Sequence, residues 1–377
     1  MNRLLISFLL VFVMSCSSST KEGTPTSKSQ QEEYASFSIK DSAGLKIIEI
    51  KQPFSGALQP ERYVLYLKKD GQPEGISANV FVGLPINRIG INSTTHMGFL
   101  NAIEQSSKIV AVTNDHLFYD EEINQRIDSG KVISLGNRVL NTEKVIKTEL
   151  DVLFSFAIDA ASYEEVKKLR ELGQPVIIIS EFLEADPIKK ARWLDVFAVF
   201  FNSKTQEKSK FFLKNIERRY DSIRNKASLF PFFPAVSIGL PWKGTWYVSG
   251  AESYQAKLIK DAGGLYAWKK YKQAGSVPLD IETAISQGLQ SDIWINPGMV
   301  RGSKELLEKN EIFEQFKSYK NHAIYTNYKL SNSSGANDYW EKGAVRPDLI
   351  LADLAAIFHP LDSAKVVKTT FYKSIFK

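Results

Sequence analysis

Three large aromatic side chains, Trp242, Trp246 and Tyr247, stand close together in a segment that also contains a lysine and two glycines. Tryptophan and tyrosine provide a large amphipathic contact area at low entropic cost, so this composition suits a loop that grips a ligand. A predicted helix follows and ends at Gly263 and Gly264, which accept positive φ. The alternative is that the tryptophans fill a hydrophobic core.

Metal chemistry would have to come from the four histidines, because a tight site needs several nitrogen ligands together with a carboxylate. His96 and His116 both follow predicted strands of one sheet, so a shared site in a cleft is one interpretation. Hydrogen bonding within the loops is the other, and we favour it. No P-loop, G-x-S-x-G or H-E-x-x-H motif occurs, and no carboxylate spacing singles out an acid–base pair. The sequence therefore predicts neither an enzyme nor a dedicated metal site.

The single cysteine of the chain, Cys16, follows a positively charged start and an apolar run from Leu4 to Val13. This run has the length of a signal peptide and is shorter than the roughly 20 residues that span a bilayer. Val13-Met14-Ser15-Cys16 looks like a bacterial lipobox, so we predict that residues 1–16 are a lipoprotein signal peptide ending in the lipidated Cys16. A plain secretory signal is the alternative. The expected location is the membrane, facing the periplasm, and display on the cell surface is also compatible.

Length and composition favour two hydrophobic cores. The chain has 377 residues, of which 44% are hydrophobic, and its aromatic residues include 15 Tyr and 23 Phe. A formal net charge of +6 is mild, and the lysines are scattered along the sequence rather than grouped. We therefore expect no nucleic-acid partner.

Hydrophobic periodicity indicates an α/β protein. Residues 17–33 are polar and predict a disordered tether, and short strands after residue 34 predict an antiparallel edge of a first lobe. From residue 88 to 179, apolar strands alternate with amphipathic helices, which is typical of a parallel sheet. Ligands bind beyond the carboxyl ends of such strands. The segments expected there are Asn92 to His96, Asn114 to Phe118, Phe156 to Ala161 and Ser180 to Glu184.

Two predicted helices separate this first lobe, residues 34–185, from a second α/β lobe, residues 229–377. Together they form a linking region, residues 186–228. The first helix extends from Pro187 to Phe201, after an Asp-Pro start. The second covers residues 203–226, a rod of roughly 36 Å that is long enough to cross from one lobe to the other.

Several short stretches occur in a fixed order between about Arg88 and Pro360. They are V-A-V-T-N at 110–114, L-G-x-P-V-I at 172–177, D-P-I-K-K-A-R-W-L at 186–194, G-T-W-Y-V-S-G-x-E-S at 244–253, D-A-G-G at 261–264, S-D-I-W-I-N at 291–296 and N-D-Y-W-x-x-G-x-V-R-P-D-L-I-L-A-D-L at 337–354. In this order they resemble the substrate-binding lipoproteins of iron-siderophore, haem and cobalamin ABC importers. Each stretch is short, and it is their order that carries the resemblance.

The resemblance implies two Rossmann-like lobes joined by a single long backbone helix, with the ligand cleft between the lobes and little closure on binding. It also implies that one acidic residue on each lobe docks onto the permease of an ABC importer. In the second lobe this position falls on Glu252. In the first lobe Tyr163 occupies the nearest position, and Glu164 follows it.

The resemblance further implies that Trp246 lies in the cleft, as at the matching position in cobalamin-binding members, with Trp242 and Tyr247 beside it. The remaining ligand candidates are the strand-end residues His96, Asn114, His116 and Phe118, together with Tyr325. The candidate loops contain little arginine, which favours a corrinoid, or a neutral or mildly charged ferric siderophore, over a strongly anionic ligand. We expect a monomer without a resident cofactor. A metal-binding chaperone or chelatase on the same fold, using His96 and His116, is the alternative.

Overall fold

The computed structural model describes residues 31–33, 36–360 and 368–376. Within these ranges the chain forms three five-stranded sheets and one two-stranded sheet. Two of the five-stranded sheets are largely parallel, so the predicted α/β class is confirmed. The predicted signal peptide, Cys16 and most of the tether lie outside the described residues. The last three residues of the predicted disordered tether, Gln31–Glu33, instead form a strand, because their backbone pairs with residues 38–40.

The first described residues form a sheet of their own, here called the N-terminal sheet. Its strands, in spatial order, are β1 (Gln31–Glu33), β2 (Phe37–Ser42), β3 (Leu45–Ile50), β4 (Glu61–Leu67) and β5 (Val80–Leu84). All neighbours are antiparallel except β4 and β5, which are parallel. These strands were predicted to form the edge of the first lobe. They instead form a separate sheet, because alternate side chains such as Phe37 and Ile48 are buried in a core on one of its faces.

A buried ion pair joins the N-terminal sheet to the next one. Glu61, on β4, accepts hydrogen bonds of 2.8 and 2.7 Å from the Arg170 guanidinium and further bonds from Tyr63 and Tyr163. Burial alone would raise the pKa of Glu61, but the bonds and charge of Arg170 hold it below its usual value. The carboxylate is therefore ionised in the folded chain and fixes the two sheets against each other.

The central sheet has the strand order β10-β9-β6-β7-β8 and is entirely parallel. Its elements in chain order are β6 (Ile89–Ile91), α1 (Thr94–Ala102), β7 (Ile109–Val112), α2 (Glu121–Asp128), β8 (Ile133–Ser134), α3 (Thr142–Lys147), β9 (Val152–Ser155), α4 (Ala160–Glu171) and β10 (Val176–Ile178). Except for the edge strand β8, its strands are largely buried on both faces, as expected of a parallel sheet.

Three helices follow the central sheet: α5 (Pro187–Arg192), α6 (Leu194–Ala198) and α7 (Ser203–Ala227). The single helix predicted for residues 187–201 is thus divided at Trp193, whose buried indole donates to Glu184 Oε1 at 3.0 Å. The long helix is confirmed. On α7, Leu213 packs in the core of the central sheet, whereas Tyr220 packs in the core of the sheet that follows.

The C-terminal sheet has the order β13-β11-β15-β16-β17, in which only β17 is antiparallel. Its elements and those packed on it are β11 (Ala235–Ile238), β12 (Thr245–Ser249), α8 (Tyr254–Asp261), β13 (Leu265–Tyr266), β14 (Ser276–Asp280), α9 (Ile281–Gly288), β15 (Ile293–Ile295), α10 (Ser303–Lys309), α11 (Lys317–Lys320), β16 (Ile324–Thr326), α12 (Lys342–Val345), α13 (Pro347–Phe358) and β17 (Lys373–Ser374). Strands β12 and β14 pair separately as the two-stranded sheet.

Candidate ligand-binding site

The loop after β7 meets residues 331–341, here called the crossing segment, which follow β16. Ser334 Oγ donates to the His116 carbonyl at 2.6 Å, and Asn332 Nδ2 donates to the Phe118 carbonyl at 3.4 Å. Both loops lie at the carboxyl ends of parallel strands, one in each sheet. The central and C-terminal sheets therefore approach each other at the ends where α/β proteins bind ligands.

Glu341, at the end of the crossing segment, makes a second contact between the sheets. Its carboxylate accepts hydrogen bonds from the backbone N–H groups of Tyr119 and Asp120, just before α2. Burial raises the pKa of Glu341 to about 8, against these two bonds, and the charges of Asp338 and Asp120 raise it further. A Cβ added at Gly98 would lie 2.1 Å from the Glu341 carbonyl oxygen, so α1 and the crossing segment pack backbone to backbone.

A buried carboxylate lies at the strand ends of the central sheet. Glu181, after β10, accepts a 2.8 Å hydrogen bond on Oε1 from Thr95, which lies at the start of α1 after β6. Its Oε2 is buried and has no hydrogen-bond partner within the described residues. Burial raises the pKa of Glu181, against the charge of Lys190. A buried acceptor without a donor is costly, so Glu181 is a polar group that the folded chain leaves unsatisfied at these strand ends.

Lys190, on α5, connects this carboxylate to the C-terminal sheet. Its ammonium lies over the ring of Tyr254, the first residue of α8, at 5.0 Å from the ring centroid. Burial lowers the pKa of Lys190, and the charges of Glu181 and Glu184 oppose that shift. The neighbouring Gln255 has a buried Oε1 that also lacks a partner within the described residues. Polar groups from both sheets therefore converge around α5. They are Glu181, Lys190, Tyr254 and Gln255, here called the polar cluster.

Six exposed large apolar side chains each follow a parallel strand. They are Leu117, Ile158 and Phe182 from the central sheet and Trp242, Met299 and Trp340 from the C-terminal sheet. Trp242 is 67% exposed and Met299 is 60% exposed. Met299 Sδ lies 3.6 Å from where a Cβ on Gly335 would be, so it rests on the crossing segment. Large apolar side chains left in solvent at strand ends are typical of a ligand-binding surface.

A cavity of about 390 Å³ lies beside this surface, between α1, α7 and the crossing segment. It is lined by Gly98, Phe212, Asp338, Glu341 and Arg346, among others. None of the ligand residues predicted from sequence lines it. The cavity belongs to the contact between the sheets and is separate from the exposed aromatic side chains.

The structure corrects the predicted position of Trp246 in the ligand cleft. The stretch predicted as a loop contains β12, on which successive side chains alternate, so Trp246 points inward and is fully buried, whereas Tyr247 is exposed. Its indole donates to the Ile238 carbonyl at 3.1 Å and packs on the rings of Trp268 and Trp294. Trp246 is therefore a core residue, as the alternative interpretation had it, and has no surface to offer a ligand.

The structure also corrects the prediction that His96 and Phe118 contact a ligand, because both side chains are fully buried. His96 is on α1 near the ring of Phe197, and neither ring nitrogen has a hydrogen-bond partner within the described residues. Burial lowers the pKa of His96 to about 3, so the ring is neutral. The structure does not bring it together with His116 in a shared cleft, since the His116 side chain is half exposed.

The other predicted ligand residues remain accessible. Trp242 and Tyr247 are exposed on the C-terminal side, and Tyr325 is half-buried on β16. Asn114 adopts a left-handed conformation with φ 49° and accepts a 2.8 Å bond from the backbone of Arg138. His116 Nδ1 lies 3.5 Å from Asp115 Oδ1. Of this group, only His116 is shown touching the crossing segment.

The two predicted docking glutamates are both on the surface. Glu252 is exposed directly before Ser253, the N-cap of α8. Glu164 is exposed in the first turns of α4 and forms a 2.8 Å ion pair with Lys167. Tyr163, by contrast, donates to the buried Glu61 and is held in the structural network. The role of Glu252 and Glu164 in docking stays a prediction.

Sequence reasoning missed most of the polar cluster. Glu181 lies within a strand-end segment that was singled out, but Lys190 and Tyr254 were assigned only to helices. Glu341 and Trp340 belong to the N-D-Y-W stretch used for the resemblance, without a role of their own. A useful signal in the sequence would have been the adjacent aromatic pair Tyr339 and Trp340. In the structure Tyr339 is buried and Trp340 is exposed, with ring centroids 4.9 Å apart.

No group of three or more His, Cys, Asp or Glu side chains in the described ranges is arranged to hold a metal ion. In the same part of the chain, no helix combines the length and the apolar character needed to cross a bilayer.

Comparison with known proteins relates the chain to lipoproteins and binding proteins. No protein-family model matches the sequence. An uncharacterized lipoprotein of Methanocaldococcus jannaschii is 27% identical over 304 residues, which cover 77% of this chain and 69% of the relative. A periplasmic heme-binding protein from Pseudomonas aeruginosa aligns with a TM-score of 0.57 at 15% identity, covering 78% of this chain and 99% of that protein. The periplasmic vitamin B12-binding protein of Vibrio cholerae aligns with a TM-score of 0.52 at 12% identity, covering 73% and 97%.

Proposed function

We propose that this chain, which has the fold of the periplasmic solute-binding proteins, is an extracytoplasmic lipoprotein that captures a bulky metal chelate for an ABC importer. In this proposal the central and C-terminal sheets are two Rossmann-like lobes, α7 is the backbone helix, and the cleft lies between the strand ends. The chain carries no catalytic role, delivers its ligand to a permease and acts as a monomer anchored through Cys16.

One observation supports this proposal most strongly: six of the exposed large apolar side chains follow parallel strands, three in the central sheet and three in the C-terminal sheet. Apolar and aromatic side chains with a few polar groups beside them are the usual composition of a small-molecule site. Trp242 and Trp340 are the two aromatic residues among the six that offer the largest stacking surface.

The side chains favour a corrinoid, or a ferric siderophore of low charge, as the ligand. Lys190 is engaged by Tyr254 and by the buried carboxylates, which leaves little free positive charge at the site for an anion. The metal in this proposal is cargo held by its own chelator.

Binding is tested by titrating the chain with cobalamin, a ferric siderophore and haem, using calorimetry for affinity and tryptophan fluorescence for location. Four of the six tryptophans are buried, so a ligand at the strand ends quenches mainly Trp242 and Trp340. We expect the variant Trp242→Leu to raise the dissociation constant on the order of tenfold, because a stacking surface is lost.

The matched control is Phe232→Leu, which changes an equally exposed aromatic residue away from the strand ends and should leave affinity unchanged. If none of the three ligands binds at micromolar concentration, the proposal of a metal-chelate binding protein is wrong. Equal effects of the two variants would place the ligand elsewhere on the chain.

Docking onto the permease is tested by charge reversal at the two exposed glutamates. We expect Glu252→Lys combined with Glu164→Lys to keep ligand affinity within about twofold, because neither residue contacts the polar cluster, and to lower ligand uptake at least about tenfold. The physical reason is repulsion at a charged docking surface, which mainly affects association. Uptake is measured with the importer reconstituted in liposomes.

Glu282→Lys serves as the control, since it reverses an exposed glutamate in the first turn of α9. Uptake should be unaffected by it. Loss of ligand affinity in the double variant would show that these glutamates belong to the ligand site.

A further inference from the structure

Helix α7 presents one strongly basic face to solvent. Residues spaced by three or four along a helix share a face. On α7 this series contains Lys204, Lys208, Phe211, Lys214, Asn215, Arg218, Arg219, Ser222 and Lys226. The buried residues of the helix, including Leu213, Ile216 and Tyr220, lie on the opposite face. The lysines that look scattered in the sequence are therefore gathered into one stripe, here called the basic face.

The charge of the basic face accounts for most of the charge of the chain. Helix α7 contains eight Lys or Arg residues and three Asp or Glu residues, which leaves it at +5, whereas the whole chain is at +6. Within the described residues Lys208 pairs with Glu104, and Arg219 lies 3.5 Å from Asp348. Lys204, Lys214 and Lys226 have no ion pair there. A stripe of unneutralised charge of this kind attracts an anionic surface.

A groove along the second half of α7 adds an amphipathic binding surface. It has a volume of about 660 Å³ and is lined by Arg218, Arg219, Lys226 and Arg346, with Ile216 and Ile223 between them. The carboxylate in this lining, that of Asp348, accepts two hydrogen bonds of 2.8 Å from the Arg346 guanidinium. Cations alternating with apolar side chains fit a phosphate attached to an apolar group.

Exposed apolar side chains lie on the same helix and just after it. Phe211 is 70% exposed in the middle of the basic face, and Leu229 is 83% exposed two residues beyond the end of α7. Aromatic and aliphatic side chains beside lysine and arginine are the composition of surfaces that rest on the headgroup region of a bilayer. A nucleic acid would provide fewer apolar contacts for Phe211 and Leu229 than a bilayer does.

The start of the chain brings α7 towards the membrane. Fourteen residues lie between Cys16 and Gln31, the first residue of β1, and these fifteen Cα–Cα steps can span at most about 54 Å when extended. Strand β1 pairs with β2, and β2 with β3. On β3, Lys46 Nζ donates to Gln206 Oε1 of α7 at 3.4 Å. Gln206 lies outside the basic face, so it is the length of this span, and not the contact with β3, that lets the basic face reach a bilayer in which Cys16 is anchored.

We propose that the basic face of α7 is a docking surface for an anionic lipid bilayer, on which the chain rests between its encounters with other partners. The lipid on Cys16 supplies the first attachment, and the phosphate headgroups bound along α7 supply the second. Two attachments are needed for stable orientation, because a single lipid chain binds reversibly and leaves the protein free to rotate. The docking surface is distinct from the ligand site and does not depend on ligand.

The test uses the full lipidated chain in vesicles of phosphatidylcholine alone or with 30% phosphatidylglycerol. Since the only cysteine is acylated in this form, a dye can be placed on Ser222→Cys in the basic face or on Ser286→Cys in α9. Brominated lipids then report contact. We expect at least threefold stronger quenching at position 222 in anionic than in neutral vesicles, none at 286, and a loss of the effect in 0.5 M salt.

Charge variants decide whether the stripe itself binds. Lys214→Glu with Arg218→Glu should weaken docking on the order of thirtyfold or more, and position 222 should then resemble the neutral vesicles. Lys269→Glu with Lys272→Glu makes the same change in net charge on an exposed loop and should retain docking.

Four results would overturn the proposal. The first two are equal quenching at position 222 in both vesicle types and equal loss of docking in both double variants. The other two are the finding that Cys16 carries no lipid, and the displacement of the basic face from the bilayer by equimolar duplex DNA. Light scattering provides a further check, since self-association that the Lys214 and Arg218 variant abolishes would assign the face to a second copy of the chain.

Discussion

Replacing Trp246 with alanine should cost about 3–5 kcal/mol of unfolding free energy, the largest effect that we expect from a single substitution in this chain. The indole is fully buried and sits among the rings of Trp268, Trp294, Phe313 and Phe316, with centroids 5.5 to 6.4 Å away. Truncation removes these contacts and leaves a cavity. Since domains are stable by only about 5–15 kcal/mol, much of the stability of the C-terminal sheet would be lost.

The measurement is chemical denaturation followed by circular dichroism, with Trp242→Ala as the matched control. Trp242 is largely exposed, so its removal should change stability by less than about 1 kcal/mol while weakening ligand binding. The reverse pattern, a stable Trp246 variant that no longer binds ligand, would return Trp246 to the ligand site and contradict its assignment to the core.

Stability should fall as the pH rises from about 4.5 to 8, and Glu341→Gln should remove part of that fall. Burial raises the pKa of Glu341 from 4.5 to about 8 in the folded chain, so between these values the folded state holds a proton that the unfolded state has lost. The contribution of Glu341 is complete below pH 4.5, declines as pH rises, and levels off above about 8. At about 1.4 kcal/mol per pKa unit, the whole change is at most ~5 kcal/mol.

Glutamine keeps an oxygen that can accept from the backbone N–H groups of Tyr119 and Asp120, and it does not ionise beside Asp338 and Asp120. We therefore expect the variant to gain stability relative to the native chain at pH 9 and little at pH 5. Unfolding curves at a series of pH values measure this difference. Glu308→Gln, on the exposed side of α10, is the control and should shift the curves equally at all pH values. A parallel shift for Glu341→Gln as well would rule out its titration as the cause.

Local sequence patterns were sufficient for the strands of the central sheet and for the long helix, although they missed β12 and the division between α5 and α6. The apolar runs of the central sheet predict its parallel strands, and the helical spacing of Phe212, Ile216, Tyr220 and Ile223 predicts α7 nearly to its last residue. Both signals depend only on the period of the backbone and on which side chains avoid water. The strand-end rule also located the segments that carry Thr95, His116 and Glu181, because it follows from the parallel topology alone.

The individual site residues were less predictable, because burial depends on partners far away in the chain. Trp246 and Tyr247 are neighbours with similar side chains, and only the pairing of β12 with β14 decides that one is buried and the other exposed. His96 follows a strand end as predicted, yet α6 covers it with Phe197. Residue type and spacing hold no record of such packing.

The sequence by itself determined the α/β class, the long helix α7 and the strand-end segments, since each is encoded within a few neighbouring residues, and the lipobox at Cys16 stays a prediction of the same kind. Only the tertiary structure decided that Glu341 bonds to Tyr119 across 222 residues, that Lys190 lies over the ring of Tyr254 while its charge acts on Glu181, and that separate lysines form the basic face of α7. These arrangements arise when distant segments pack, because a buried charge must then find its partner and an exposed one need not.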